Sequence, residues 1–236
     1  MKLKDKVVVV FGATGGIGKA IVKHFAAEGA KVYLCGRNLD ILEHMHKTIL
    51  RENKFSRIMT CDITSSENVN SVVADIVKDE ETIDILINCF GTFLEKKSDQ
   101  VSDYEWFSVL NVNLTGIFYT CRAVLPCMKE QKSGIIFNFS SIGGKIALEN
   151  KAVYCASKFG VVGYSKSLAK EVKQFGIKVH LIYPYLVDSE ECINWSASTE
   201  ETTILKTDDV AECIVNLAKQ PKRVYIEEVE LKPYLY

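Results

Sequence analysis

Apolar residues in this chain follow two rhythms. Short, β-rich apolar runs lie at residues 6–11, 31–35, 57–61, 83–87, 134–139, 178–183 and 223–231. Helix-length stretches separate them, among them residues 17–28, 39–53, 65–79 and 153–175. Apolar runs that do not alternate with polar residues suit strands covered on both faces. Strands alternating with helices at this spacing predict right-handed βαβ units. The expected fold is α/β, with one doubly wound domain over residues 1–236. Its sheet is expected to be seven-stranded and parallel, with helices on both faces. No linker or composition shift marks a domain boundary. None of the four prolines falls within residues 1–125, which suits long helices and buried strands.

Composition narrows the function by exclusion. The 236 residues are 47 % hydrophobic and 25 % charged, a globular mixture that excludes a disordered or collagen-like chain. With 29 basic and 30 acidic side chains, the formal charge of −1 offers no cationic surplus for nucleic acid or an anionic membrane. The longest apolar runs, such as Val7–Phe11, reach roughly a third of a bilayer span. Lys2, Lys4 and Lys6 precede that run in the manner of a signal peptide, but the run is too short for an apolar signal core. A soluble, cytoplasmic protein is expected, with neither membrane nor nucleic acid as partner. Cys35, Cys61, Cys89, Cys121, Cys127, Cys155, Cys192 and Cys213 contain no C-x-x-C pair. Reduced thiols acting as small apolar side chains are expected, and no metal. His44 and His46 lie on a polar stretch and are expected at the surface.

Chemistry starts at the end of the first run. Gly12-Ala13-Thr14-Gly15-Gly16-Ile17-Gly18 joins an apolar strand to an amphipathic helix. Such a junction turns backbone amides and a helix N-terminus towards a phosphate. Gly12 permits the tight turn, Gly16 a close approach of pyrophosphate, and Gly18 close packing of helix on strand. The spacing is G-x-x-x-G-x-G, and no Lys-Ser/Thr follows to make a P-loop. The second run ends at Cys35-Gly36-Arg37. Gly36 occupies the slot where an acid would bond a ribose 2′-hydroxyl, and Arg37 supplies a cation for a 2′-phosphate. NADP(H) is therefore favoured over NAD(H), the alternative being that Arg37 is a solvated surface charge.

Tyr154 and Lys158 stand four apart on an expected helix, which places phenol and ammonium on one face. A nearby ammonium favours the phenolate, so Tyr154 can act as acid or base towards a carbonyl or alcohol. Ser140-Ser141, 13 residues upstream at a strand end, could offer a hydroxyl to that carbonyl or simply cap the next turn. With these residues assembled, the chain resembles the short-chain dehydrogenase/reductase (SDR) family over nearly its whole length. The motifs are the Gly12–Gly18 loop, Cys61-Asp62-Ile63-Thr64, Asn88-Cys89-Phe90-Gly91, Asn111-Val112-Asn113-Leu114, the Ser141/Tyr154/Lys158 set, and Pro184-Tyr185-Leu186-Val187-Asp188-Ser189.

The resemblance implies a Rossmann-like fold and a catalytic tetrad of Asn113, Ser141, Tyr154 and Lys158. Tyr154 is then the proton donor and acceptor, Lys158 lowers its pKa and bonds the nicotinamide ribose, Ser141 polarises the carbonyl, and Asn113 holds a water. Cofactor contacts fall to Gly12, Thr14, Gly15, Gly16, Ile17, Gly18, Arg37, Asp62, Ile63, Asn88, Gly91, Tyr154, Lys158, Pro184 and Val187. Phe90 and Tyr185 depart from the small residues usual in the family, and Phe11 stands where Thr is usual. The two bulky replacements reshape the nicotinamide pocket or, alternatively, suit a dinucleotide-binding redox sensor without turnover. A short substrate lid is expected near residues 189–206, with Trp195 either capping a small substrate or anchoring the lid. The C-terminus lacks a Gly-rich segment, which favours a small hydroxy acid, hydroxy-amino acid, aldehyde or ketone over a carrier-bound 3-oxoacyl chain. A homodimer or homotetramer is expected through helices bearing Ile117, Phe118 and Val124, and Val161, Val162 and Leu168, unless those faces all pack on the sheet.

Overall fold

Five consecutive buried residues, Val7–Phe11, form strand β1 and bond a neighbour on each side. Those neighbours are β2 (Lys31–Gly36) and β4 (Ile85–Asn88). With β3 (Ser56–Thr60), β5 (Gly134–Phe139), β6 (Ile177–Pro184) and β9 (Glu228–Leu231), they complete a seven-stranded parallel sheet of order β3-β2-β1-β4-β5-β6-β9. The chain order reverses at β1, so a crevice opens between the carboxyl ends of β1 and β4. The computed structural model describes residues 2–52, 54–189 and 204–234.

Alternate side chains of each strand feed two separate cores. Val8, Val10, Leu34, Ile87 and Phe137 face one way, covered by α1 (Gly16–Ala27), α2 (Leu39–Arg51) and α7 (Thr207–Ala218). Val7, Val9, Tyr33, Leu86 and Ile136 face the other, under α3 (Ser66–Glu80), α5 (Gly116–Glu130) and α6 (Ala152–Val172). Local signals explain where helices begin. Asn38 caps α2 through Ile41 N at 3.1 Å, and Ser65 caps α3 through Asn68 N at 3.2 Å. Ser102 and Glu105 form a reciprocal capping box on α4 (Asp103–Leu110). Among the described residues, no helix is long and apolar enough to cross a membrane.

The architecture matches the expected fold, and the differences have local causes. The last strand begins at Glu228 rather than Arg223, because side chains of β6 take up the carbonyls of the preceding segment. Lys178 Nζ donates to Pro221 O and Val224 O, and the His180 ring binds Ile226 O. A second, two-stranded ladder, β7 (Val187–Asp188) with β8 (Leu205–Lys206), is too short for any apolar pattern to announce. Helix α4 was not among the expected stretches, and it runs into α5 through a π-turn, Asn111–Thr115. Of the residues expected to mediate assembly, Ile117, Val124, Val161 and Leu168 are buried against the sheet. Phe118 remains exposed. The seven described cysteines are free thiols, and Cys192 lies outside the described residues.

His180 gives the fold an acid sensitivity. Its ring is buried, stacked on Phe137 with centroids 4.9 Å apart. Because Ile226 O can only accept, Nδ1 carries the proton, and Nε2 is a buried acceptor without a partner. Burial pushes its pKa down to about 4, with the neighbouring Lys178 charge acting the same way. Between the ordinary 6.5 and about 4, the unfolded chain binds a proton that the folded chain refuses, so stability falls as pH falls. We predict a loss of up to about 3 kcal/mol across that window in urea unfolding. His180→Gln should remove most of this slope; a variant with the wild-type slope would assign it to other groups.

Candidate active site

The glycine loop is shaped by contacts that a side chain would block. Gly12 sits at φ +87°, and a Cβ there would lie 2.9 Å from the backbone of Cys89 and Phe90 at the end of β4. A Cβ on Gly18 would lie 2.0 Å from Gly12 O, so α1 packs directly on the turn. The N-cap of α1, Gly15, supplies no side-chain acceptor, and the first-turn amides remain suited to an anion. Gly16 meets protein in this structure: its Cβ would fall 2.7 Å from Ser189 Cβ and 3.5 Å from Thr207 Cγ2. Both neighbours flank the β7/β8 ladder, which therefore lies against the glycine loop. Of the stretch expected to form a lid, residues 190–203, Trp195 among them, lie outside the described residues. Ile17 packs against the first core, while Thr14 lies at the mouth of the loop beside Gly36.

Arg37 and Asp62 flank the ends of β2 and β3, which are joined by Cys61 N donating to Gly36 O at 2.9 Å. Asp62 accepts from Thr64 N and Thr64 Oγ1 at 2.9 and 2.7 Å. These bonds hold its carboxyl below the usual range, with the Arg37 charge adding to the effect. Arg37 is exposed. The empty acidic slot is narrower than the sequence suggests, because a Cβ on Gly36 would stand 3.1 Å from Thr14 Cγ2. Ile63 and Phe90 converge on Gly116, whose absent Cβ would lie 2.6 Å from Ile63 Cδ1 and 3.0 Å from Phe90 Cε2. The bulk of Phe90 is thus taken up against α5. Tyr185 N is held by Leu231 O of β9 at 2.9 Å, and Pro184 and Val187 are buried.

Asn88 behaves differently from the expected cofactor contact. Its side chain is buried inside the sheet, donating to Asn138 Oδ1 at 2.9 Å, while Asn138 donates to Ser165 Oγ on α6 at 2.9 Å. Three residues later the chain reaches Gly91, where a Cβ would lie 3.3 Å from Asn113 Oδ1 and 3.4 Å from Lys158 Nζ. Asn113, fully buried in the π-turn, clamps Thr92 twice: Oδ1 accepts from Thr92 N at 2.7 Å, and Nδ2 donates to Thr92 O at 2.9 Å. Its other Nδ2 proton goes to Ser157 Oγ at 2.9 Å, and Ser157 donates onward to Tyr154 O at 2.7 Å. Both donors of the amide are therefore used within the protein.

Tyr154 and Lys158 lie one turn apart on α6, with Lys158 Nζ 5.9 Å from the Tyr154 ring centre. Lys158 is buried, and Nζ donates to Phe139 O at the end of β5 at 3.1 Å. Burial pushes its pKa down to about 8. The two adjacent serines divide their work. Ser140 is buried and donates to Lys158 O at 3.1 Å, whereas Ser141 is partly exposed and its Oγ accepts from Gly143 N at 3.2 Å. Gly143 in turn lies against the Tyr154 ring, its Cβ position 3.1 Å from Tyr154 Cε1. Ser141, Tyr154, Lys158 and Asn113 are thus gathered around Gly91 and Gly143. Thr92 and the bond made by Ser157 were not read from the sequence, and Ser140, one of the two serines expected to offer a hydroxyl, spends it on Lys158 O instead. Ser157 was legible from its i, i+3 spacing to Tyr154, but the Thr92 clamp required the π-turn.

A family model described as short chain dehydrogenase matches residues 6–200. An uncharacterized oxidoreductase of Staphylococcus aureus (strain MRSA252) is 34 % identical over 231 residues, covering 98 % of each chain. The crystal structure of a metagenomic short-chain oxidoreductase in complex with NADP superposes with TM-score 0.88 at 28 % identity, covering 100 % of both chains. An actinorhodin polyketide ketoreductase variant with NADPH gives TM-score 0.88 at 30 % identity, over 98 % of this chain and 97 % of that one.

The buried ammonium sets a stability cost that can be measured. Below about pH 8 the folded protein carries a desolvated charge; from there to 10.5 the folded state sheds a proton that the unfolded state keeps, and stability rises with pH. The shift corresponds to about 3 kcal/mol, and the Phe139 O bond returns about 1. Lys158→Met should therefore be more stable than wild type at pH 7 by about 2 kcal/mol, an advantage shrinking towards pH 10. Equal or lower stability of the variant at pH 7 would contradict this reading.

Proposed function

The chain belongs to the short-chain dehydrogenase family, and from that premise we propose that it interconverts a carbonyl compound and its alcohol with NADP(H). The observation that carries the reading is the meeting of Tyr154, Lys158, Ser141 and Asn113 at the mouth of the glycine-loop crevice. The cradle fits a dinucleotide: a turn closed to side chains at Gly12 and Gly18, uncapped first-turn amides, and a cation at Arg37. Thr14, Gly15, Gly16, Ile17 and the Gly91 segment would line its phosphates and nicotinamide half, with Asp62 and Ile63 towards the adenine and Pro184 and Val187 opposite. When bound, the cofactor supplies or accepts the hydride.

The chain's own residues supply position and a proton. In reduction, the Tyr154 phenol delivers its proton to the carbonyl oxygen as negative charge develops there. Ser141 Oγ, at the partly exposed end of β5, donates to the same oxygen and fixes its orientation. Lys158 keeps a positive charge beside the phenol, stabilises the phenolate left behind, and has N–H protons to spare for ribose hydroxyls. Asn113 acts as a positioning residue, joining the Thr92 segment to the turn of α6 that carries Tyr154. A cytoplasmic enzyme suits its free thiols. Exposed Phe118 and Phe159, with open space around Gly163 on α6, favour assembly through α5 and α6 into a homodimer or homotetramer.

Two measurements test the reading. Tyr154→Phe should abolish carbonyl reduction while NADPH binding stays within a few-fold; retained turnover would place the acid elsewhere. Arg37 offers a charge-assisted contact worth on the order of 1.5–3 kcal/mol. Asp62 shares that charge, so the lower figure applies, or about a tenfold preference for NADPH in kcat/KM. Arg37→Ala should erase most of it by weakening NADPH. Equal use of both cofactors by the wild type would make Arg37 a surface charge.

A further inference from the structure

The turn that follows Ser141 touches the other site residues through its backbone. Ser141 opens this turn, Ile142–Gly144, and its Oγ accepts from Gly143 N at 3.2 Å. Gly144 N donates to Ser141 O and Lys145 N to Ile142 O, both at 2.9 Å. Two glycines let the turn close on its neighbours. A Cβ on Gly143 would stand 3.1 Å from Tyr154 Cε1, and one on Gly144 would stand 2.9 Å from Lys158 O. The three hydrogen bonds lie within residues 141–145, so they shape the turn without fixing it to the sheet. A tether to the sheet comes from Lys145, the residue that closes the turn.

Lys145 Nζ reaches β9, the last strand in the sheet order, where it bonds Glu230 Oε1 and lies 3.5 Å from Glu228 Oε2. It also stands 4.4 Å from the ring centre of Tyr183 on β6. Glu228 and Glu230 are two apart on β9, which puts them on one face of the strand. Glu228 further accepts from Tyr183 Oη at 2.9 Å and pairs with Lys166 Nζ on α6, about three turns beyond Tyr154. The two carboxylates therefore gather the Ser141 turn, the Tyr154 helix and β6 at one point. An isolated surface pair contributes little, but these ammonium groups, carboxylates, phenol and ring face form one network. The side chains of Lys145 and Glu228 are 30 % and 28 % exposed, which limits screening by salt.

We propose that Lys145 is a positioning residue for the reaction: held by Glu230 and Glu228, it fixes the turn that carries Ser141 against Tyr154, and so sets where Ser141 Oγ meets the carbonyl oxygen. The proposal rests on the carbonyl-reductase reading and adds the strand β9 to the support of that site. A donor displaced by about 1 Å from the charge that develops in the transition state costs up to about a hundredfold in rate. Gly143 and Gly144 have no side chains to wedge the turn in place, so the tether at Lys145 carries that task. Lys145 touches no reacting atom in this role. Acting directly on an anionic substrate, its charge would be partly cancelled by the two carboxylates beside it.

Removing and reversing the charges separates a tether from a direct contact. Wild type, Lys145→Met, Glu230→Gln and the double variant Lys145→Glu/Glu230→Lys are assayed with NADPH and NADH against acetone, acetaldehyde, cyclohexanone and phenylacetone. Lys145→Met should lower kcat about tenfold while KM and NADPH binding stay within about threefold, because the Ser141 contact strengthens only in the transition state. Glu230→Gln should lower kcat by a smaller factor, about threefold, since Glu228 remains. The double variant should recover most of the loss although the charge at 145 is reversed. Independently of turnover, hydrogen exchange of the Gly143 amide reports its bond to Ser141 Oγ, and it should quicken about tenfold in Lys145→Met. If Lys145→Met keeps both kcat and Gly143 protection, the turn stands without its tether, and the proposal fails while the enzyme reading stands. If Lys145→Met loses kcat but Glu230→Gln does not, Lys145 acts on the substrate itself, and the proposal fails equally; this comparison holds even if the double variant does not fold. A lowered melting temperature with unchanged kcat for the folded fraction makes Lys145 merely structural and overturns it too. Absence of turnover by the wild type with every carbonyl and both cofactors removes the enzyme reading, and the proposal with it.

Discussion

One charged nitrogen organises the centre of this protein. Lys158 Nζ is held away from bulk water against Phe139 O, and the chain around it is shaped to make that possible. Gly91 brings the loop after β4 within van der Waals reach of Nζ, and Gly144 has no side chain because a Cβ would stand 2.9 Å from Lys158 O. Ser140 takes the same carbonyl, tying the turn of α6 that carries Lys158 to the end of β5. Burial of an ammonium without a carboxylate partner costs folding energy. The large two-sided core of the sheet supplies the surplus that tolerates it, and the product is a cation whose field is little screened beside the Tyr154 ring.

Asn113 completes the arrangement from the other side. A π-turn inserts one extra residue into the helix and lets a buried amide reach Thr92 and Ser157 together. Three chain segments far apart in sequence are fixed through one side chain: the loop after β4, the turn between α4 and α5, and the start of α6. Bulk is accommodated elsewhere. Phe90 finds its space where Gly116 lacks a side chain.

Much of this was legible in the sequence because its determinants are local. Strand cores such as Val7–Phe11 carry unbroken apolar runs, and the helices that Asn38 and Ser65 cap fall on two of the expected stretches. The Tyr154/Lys158 pair follows from helical spacing alone. What escaped depends on contacts across the fold. The side chain of Asn88 turned inward because Asn138 and Ser165 wait for it, which no motif records. The start of β9 was displaced by Lys178 and His180 reaching out from β6. The Gly36 slot reads as empty in one dimension, yet in three it is bounded by Thr14.

The titration of Lys158 tests the account most directly. With isotope-labelled lysine, and Lys158→Met to assign its ε-methylene resonance, the pH dependence of that signal reports the ammonium itself. A midpoint at about 8 is expected from the burial of the group. A midpoint at the ordinary 10.5 would mean that the ammonium is solvated, and that the site is not organised around a desolvated charge.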